Sequence, residues 1–400
     1  MYTSMFRKAM LGDTALLALD FSAGTMPTAV TFTRADSTAR ATFIDASGYV
    51  KTVTAAGDPR FDYTGGVAKG LLIEAASTNY CRQSSNPASW IGASSLTTIT
   101  TGTGVAPDNL TTPKQVALQS GAYHYQQSAS ILVASTYTLS VWLKASSSQQ
   151  VGLRINMQSN GSISAMVVAS VTASWQRFSV SVTTNASDNV EIGFDQRNNG
   201  GVLQGPAVAA TVLMWGAQLE KGATASSNIE TTTAELTRLA DDAVIRSTAW
   251  TSLYAQPGAM VVEFYRGAYG TGDRSIMSTD TTATRHWHLK NANASATAQI
   301  AFSAGSPVTQ TGLTAGLNKV AIAWNAPTPT ASFDLCVNGA SPTFGGSNVG
   351  TTLSTWLTLG SQSTTGVSGT GVWDGYLNNS IKSVKYYNAL TYAEMQAKTT

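Results

Sequence analysis

One periodicity dominates this chain: short segments in which every second residue is apolar, broken by Gly, Asn, Asp, Ser and Pro. Tyr137-Thr-Leu-Ser-Val-Trp-Leu143, Arg177-Phe-Ser-Val-Ser-Val-Thr183 and Lys319-Val-Ala-Ile-Ala-Trp324 are examples. A period of two sends alternate side chains to opposite faces, so each segment is a strand with one face to bury. Helical periodicity is almost absent. Short strands with turn signals between them predict an all-β protein of sandwiches or barrels. One helix of a turn or two is expected at the C-terminus, where Thr391 and Glu394 have the spacing of a capping box.

Four hundred residues exceed what one core organises, so two or three domains are expected. Charged residues are only 12% of the chain, about half the usual share. Ser, Thr, Ala, Gly and Asn supply polar surface instead, which suits strands and turns better than long helices. The net charge is +2, with no basic run to follow a phosphate backbone, so no nucleic-acid partner is expected. Ala15-Leu-Leu-Ala-Leu19 is too short to span a bilayer and lacks a cleavage site, so neither membrane insertion nor export is expected. Cys81 and Cys336 fall in different segments and read as two buried thiols.

The chain divides into residues 1–80, an N-terminal extended docking region; 81–230, a first run of strands; and 231–400, a second. The Thr-, Ala- and Ser-rich stretch Lys221 to Ala240 reads as the connector between the two sandwiches.

Two segments carry a family resemblance. Gly70-Leu-Leu-Ile-Glu-Ala-Ala-Ser-Thr-Asn79, with Phe32-Thr-Arg34, Asp45-Ala-Ser-Gly48 and Pro59-Arg-Phe-Asp-Tyr63 before it, resembles a pattern of tailed-bacteriophage structural and tail proteins that leads into a jelly roll. Ala75 departs from it, standing where many relatives carry a second acidic residue. Tyr137 to Lys144, Trp175-Gln-Arg-Phe178 and Trp215-Gly-Ala-Gln-Leu-Glu220 resemble carbohydrate-binding-module jelly rolls. The last 150 residues are similar to concanavalin A-like or laminin-G-like sandwiches, through Leu359-Gly-Ser361, Asp374-Gly-Tyr-Leu377 and Ser383-Val-Lys-Tyr-Tyr387. The resemblance implies a virion structural protein, a head-fibre or decoration protein, assembled in the host cytoplasm. Its implied partners are other proteins of the capsid or tail and a host-surface glycan, with a homo-oligomer, a trimer, at the attachment point. A tail fibre or tail-tip receptor binder is the alternative, and a polysaccharide depolymerase the third reading.

The aromatic residues are the expected binding apparatus, because sugar rings stack on Tyr and Trp faces. Trp142, Trp215 and Trp324 sit in alternating apolar strands and read as core. Tyr123, Tyr125, Trp373 and Tyr376 lie beside turns and are the candidate ligand-binding residues. No catalytic residue is assigned. Glycoside hydrolysis needs two carboxylates across one sugar, and the acids (Asp188, Asp195, Asp241, Asp242, Asp273, Asp280, Asp374) fall mostly in turns, with no strand presenting two at alternating positions. Glu74 is expected to bond a loop or Arg60 and fix the joint to the first sandwich. His286-Trp-His288 has a spacing compatible with a metal but no completing ligand, so it reads as a surface pair. Calcium at Asp273, Asp280 and Asp374 is the one cofactor weighed, against ordinary Asp-Gly turn chemistry. Gly102-Thr-Gly104 and Gly200-Gly201 precede no helix and read as turns, not phosphate cradles.

Overall fold

A computed structural model of the chain describes residues 14–128, 132–158, 164–198, 204–246, 248–267, 273–279, 287–292, 295–302, 306–325, 330–349, 356–361 and 376–400. The protein is all-β and built on two antiparallel sandwiches.

The first sandwich faces two five-stranded sheets together. One runs Gln176–Thr183, Thr136–Lys144, Ala210–Lys221, Lys114–Leu118, Thr97–Thr101 in spatial order. The other runs Ser164–Val171, Gln149–Met157, Val190–Asp195, Tyr123–Gln127, Gly92–Ala93. The chain switches sheets repeatedly, as in a jelly roll. Alternation explains the core: Tyr137, Leu139, Val141 and Leu143 point inward from one sheet and meet Leu153, Ile155, Ile192 and Phe194 from the other. The second sandwich packs an eight-stranded sheet on a seven-stranded one. Its core gathers Phe264, Ile276, Trp287, Ile322, Phe333 and Leu357.

Residues 14–80 are not an extended arm. Leu17–Asp20 and Val67–Ile73 both pair with Asn379–Asn388, Phe61–Thr64 extends that sheet, and Thr31–Thr33 pairs with Asp242–Arg246 in the opposite one. Leu19, Phe21, Leu71 and Ile73 sit at most 1% exposed in the second core. The described chain therefore enters the second sandwich with Leu17–Asp20, leaves to build the first, and returns. A reading of contiguous segments misses this, because three- and four-residue strands pair with partners more than two hundred residues away. Gly70 marks the tight approach: its φ is +103°, and a Cβ there would fall 2.2 Å from the carbonyl oxygen of Ile381.

The C-terminal helix Tyr392–Thr399 forms with its capping box closed by Thr391 and Glu394. A second short helix, Thr248–Tyr254, was not expected; Trp250 and Tyr254, four apart, stack at 5.5 Å in the core and hold it. Trp142 and Trp215 do not enter the jelly-roll core. They project from the opposite face of their sheet and pack with Val50 and Ala106, outside it. Trp324 is buried in the second core, as its strand pattern predicts. Cys81 and Cys336 are buried and unbridged.

Candidate functional site: an open sheet face of the first sandwich

In Tyr123–Gln127, His124 and Gln126 turn inward, where His124 stacks on Trp90 at 5.3 Å. Burial lowers the His124 pKa, so the ring sits neutral in the core. Alternation then sends Tyr123, Tyr125 and Gln127 outward, all half-buried. The rings of Tyr123 and Tyr125 lie 6.2 Å apart with 25° between their planes, stacked on each other. Gly92 makes room for the pair: a Cβ on Gly92 would fall 2.2 Å from the Tyr125 ring.

Register builds the charged part of the face. Tyr123 pairs with Asp195, Tyr125 with Gly193 and Gln127 with Glu191. On the far side of that strand, Arg154 pairs with Gly193 and Asn156 with Glu191. With no side chain at Gly193, Arg154 reaches across to within 5.4 Å of the Tyr125 ring centre. Its guanidinium is held by Glu191 Oε2 at 2.6 Å and Asp195 Oδ2 at 3.1 Å. Arg197 packs over Tyr123 at 4.3 Å and donates to Asp195 at 2.9 and 2.5 Å. Burial pushes the Asp195 pKa up, but the Arg197 hydrogen bonds and the charge of Arg154 outweigh it and leave the group below the usual carboxylate range.

Glu191 and Asp195 thus share one face of one strand, contrary to the expectation that no strand presents two acids at alternating positions. The signal was present in Val190-Glu-Ile-Gly-Phe-Asp195, where outward positions read Glu, Gly, Asp. Arg154 lies between the two carboxylates, and Asp195 stays ionised. The arrangement therefore offers aromatic rings, guanidinium donors and carboxylate acceptors on one face.

The remaining sequence candidates lie elsewhere. Tyr376 belongs to the other sandwich, half-buried against its core, where burial and then the charges of Asp242 and Asp241 raise its pKa. Trp373 lies outside the described residues, as do His286, Asp280, Asp374, Gly200 and Gly201. His288 is 3% exposed, so it is not a surface histidine: every residue of its strand, Trp287–Asn291, is buried. Asp273 accepts a hydrogen bond from Lys290 at 2.6 Å. Among the described residues no group of three or more His, Cys, Asp or Glu side chains is arranged to hold a metal.

The segments that carried the family resemblance meet at the seam between the sandwiches. Glu74 accepts from Arg60 at 2.6 Å and from the Ser227 N–H at 2.7 Å, as expected for a residue fixing the joint. Asp241, far from being a turn residue, is fully buried and accepts from Arg60 and from Arg34 (3.0 Å). Burial alone would lower the Arg60 pKa; the charges of Asp241 and Glu74 raise it instead. Burial likewise opposes ionisation of Glu74, yet Arg238 and Arg60 bring its pKa down to about 2. Asn79, wholly buried, donates to Ala217 and Ile229 and accepts from Cys81 and Leu219. Gln218 and Glu220 hold Ile229 and Ser226 of the connector.

No family model matches the chain, and no curated protein matches it. Three solved structures show distant likeness. The CBM40 module of a Ruminococcus gnavus IT-sialidase is 16% identical, covers 38% of this chain and 87% of its own, with a TM-score of 0.28. The CBM22-1–CBM22-2 tandem of Paenibacillus barcinonensis Xyn10C is 8% identical, covers 74% and 91%, with a TM-score of 0.25. Domains LG4-5 of the mouse laminin alpha1 chain are 11% identical, covering 67% and 85%, at 0.23. These neighbours are β-sandwich modules, and at such scores they carry no inference about a ligand.

Proposed function

We propose that this chain is a non-catalytic glycan-binding protein that recognises sugar on the open face of its first sandwich. The observation that carries the reading is the pair of half-buried tyrosine rings 6.2 Å apart, each with a guanidinium over it, Arg197 on Tyr123 and Arg154 on Tyr125, which Glu191 and Asp195 hold in place. Tyrosine faces take the C–H face of a pyranose, and fixed guanidinium and carboxylate groups pair with its hydroxyls. Holding these groups in advance reduces the ordering cost of binding.

The wider role is that of a virion structural protein, a decoration or fibre component that presents the sugar-binding sandwich to a host surface. The resemblance of Gly70 to Asn79 and of Trp215 to Glu220 to phage and carbohydrate-binding patterns supports it. A tail-tip receptor binder is the second reading, favoured by the same open face.

A glycan array probed with the whole chain tests the proposal. At least one glycan family should bind, and Tyr125→Ala should weaken it about tenfold or more, on the order of 1.4 kcal/mol, with Tm nearly unchanged. Release of oligosaccharide from host polysaccharide would overturn the non-catalytic reading, and equal binding by Tyr125→Ala would overturn the site.

A further inference from the structure

Asn-Gly pairs deamidate spontaneously, because glycine has no side chain to keep its nitrogen away from the preceding amide. The Gly nitrogen bonds to the Asn Cγ, the Cγ–Nδ2 bond breaks with release of ammonia, and water then opens the cyclic imide to aspartate or isoaspartate. Three such pairs occur in the sequence. Asn160-Gly161 and Asn199-Gly200 lie outside the described residues, and Asn338-Gly339 turns the chain between Thr330–Val337 and Thr343–Val349. Both residues of that turn take left-handed φ, +46° and +74°, and the Ala340 N–H closes it on Val337 O at 2.9 Å.

In the folded chain neither reacting group is free. Asn338 Oδ1 accepts from the Lys319 N–H at 2.8 Å, and its Nδ2 donates to Gly312 O and Asn318 Oδ1, both at 2.9 Å. The attacking nitrogen is occupied by the helix Tyr392–Thr399: the Gly339 N–H donates to Thr399 Oγ1 at 3.1 Å. Gln396 Nε2 in turn donates to Gly339 O at 2.8 Å. A Cβ on Gly339 would fall 2.7 Å from Thr400 Oγ1, so this end of the chain lies directly on the turn.

The guard is lightly held. Of the eight helical residues only Met395 and Thr399 are buried, Met395 in a small cluster with Val261, Ala321 and Cys336. Tyr392 packs on Phe344 at 4.5 Å, yet both rings are more than half exposed. A helix this short does not persist alone in water, so lifting off and melting are one event. Such local opening takes less free energy than global unfolding. Once the reaction has run, the way back closes. Aspartate at 338 loses both Nδ2 hydrogen bonds and sets a carboxylate against the oxygens of Gly312 and Asn318. Isoaspartate adds a methylene to the backbone and breaks the turn that aims Gly339 at Thr399.

We propose that Asn338 is a deamidation site gated by the helix Tyr392–Thr399, which shields it while docked and no longer docks once Asn338 has converted. The test is peptide mapping by mass spectrometry of the whole chain incubated at mildly alkaline pH, beside a free peptide of residues 335–343. Asn338 should convert at least about tenfold more slowly in the chain than in the peptide, because the reaction waits for opening. Thr391→Ala removes the capping box without altering any bond to the turn, and should speed the conversion several-fold with the global Tm nearly unchanged. Gln396→Ala, at an exposed position, should act likewise and keeps the test decisive should the first variant fold poorly. In Asn338→Asp the amides of 392–399 should exchange with deuterium faster than in wild type. Three results would overturn the inference: conversion in the chain as fast as in the peptide, rates unchanged in both helix variants, or helix exchange unchanged in Asn338→Asp.

Discussion

An arginine held between two carboxylates recurs among the described residues, and two of the cases, Arg60 and Arg154, differ in an instructive way. At the seam, Arg60 sits between Glu74 and Asp241, with side-chain exposures of 0%, 5% and 0%. On the open face, Arg154 sits between Glu191 and Asp195, at 7%, 13% and 1%. What covers each differs. Arg60 lies under the connector and the strands that tie the two sandwiches together, so its charges organise the fold. Arg154 lies beside tyrosine rings that solvent still reaches, so its charges can meet a ligand. Chemical type alone does not separate structural from functional ion pairs; the lid over them does.

Truncation should break the comparison most severely. Deleting residues 1–60 removes Arg60, the centre of the seam, with four strands, two of which, Leu17–Asp20 and Thr31–Thr33, belong to the sheets of the second sandwich. The second sandwich should then fail to fold cooperatively, seen as loss of its unfolding transition in calorimetry. A truncated chain that still melts in two full transitions would return these residues to the role of a dispensable arm.

Next in size is the contrast between the two arginines. Arg60→Met removes the buried charge that joins Glu74 to Asp241, leaving Glu74 with Arg238 and Asp241 with Arg34, and should cost about 3–5 kcal/mol, a Tm fall of roughly 10 °C or more. Arg154→Met leaves Asp195 paired with Arg197 near solvent and should cost about 1–2 kcal/mol, yet abolish glycan binding. Equal losses in urea unfolding would mean that the open face is as structural as the seam.

The smallest effect is pH dependence. The folded pKa of Glu74 is depressed from 4.5 to about 2, so its contribution is complete above 4.5 and lost as pH falls from there toward 2. The stability gap between wild type and Glu74→Gln should stay constant at neutral to weakly acidic pH and close below 4.5. A gap that closes nearer neutrality would remove Glu74 from the buried network.

Much of the fold was legible. Alternation in Tyr137 to Leu143 foretold which residues enter the jelly-roll core, and the Thr391–Glu394 spacing gave the final helix. The same alternation puts Trp142 opposite Val141 and Leu143, but it could not say that this far face is covered as well, so an apolar side chain there reads as core. Pairing of Leu17–Asp20 with residues 383–386 was beyond reach, because register across such a span is set by packing, not by local pattern. On the open face, Tyr123 and Tyr125 are the candidates that stand beside a turn in the sequence. Glu191 and Asp195 follow from alternation within one strand, whereas only strand register brings Arg154 to them. The most recognisable motifs mark the seam: Glu74, Asn79, Gln218 and Glu220 are retained by hydrogen bonds that join segments distant in the chain.

Hydrogen–deuterium exchange of the whole chain, with and without the strongest glycan from the array, tests the central claim most directly. Protection should rise in Tyr123–Gln127, Gln149–Met157 and Val190–Asp195, the strands that carry the tyrosine pair and its ion pairs. Unchanged exchange there, with protection gained only elsewhere, would contradict the assignment of the open face as the sugar-binding surface.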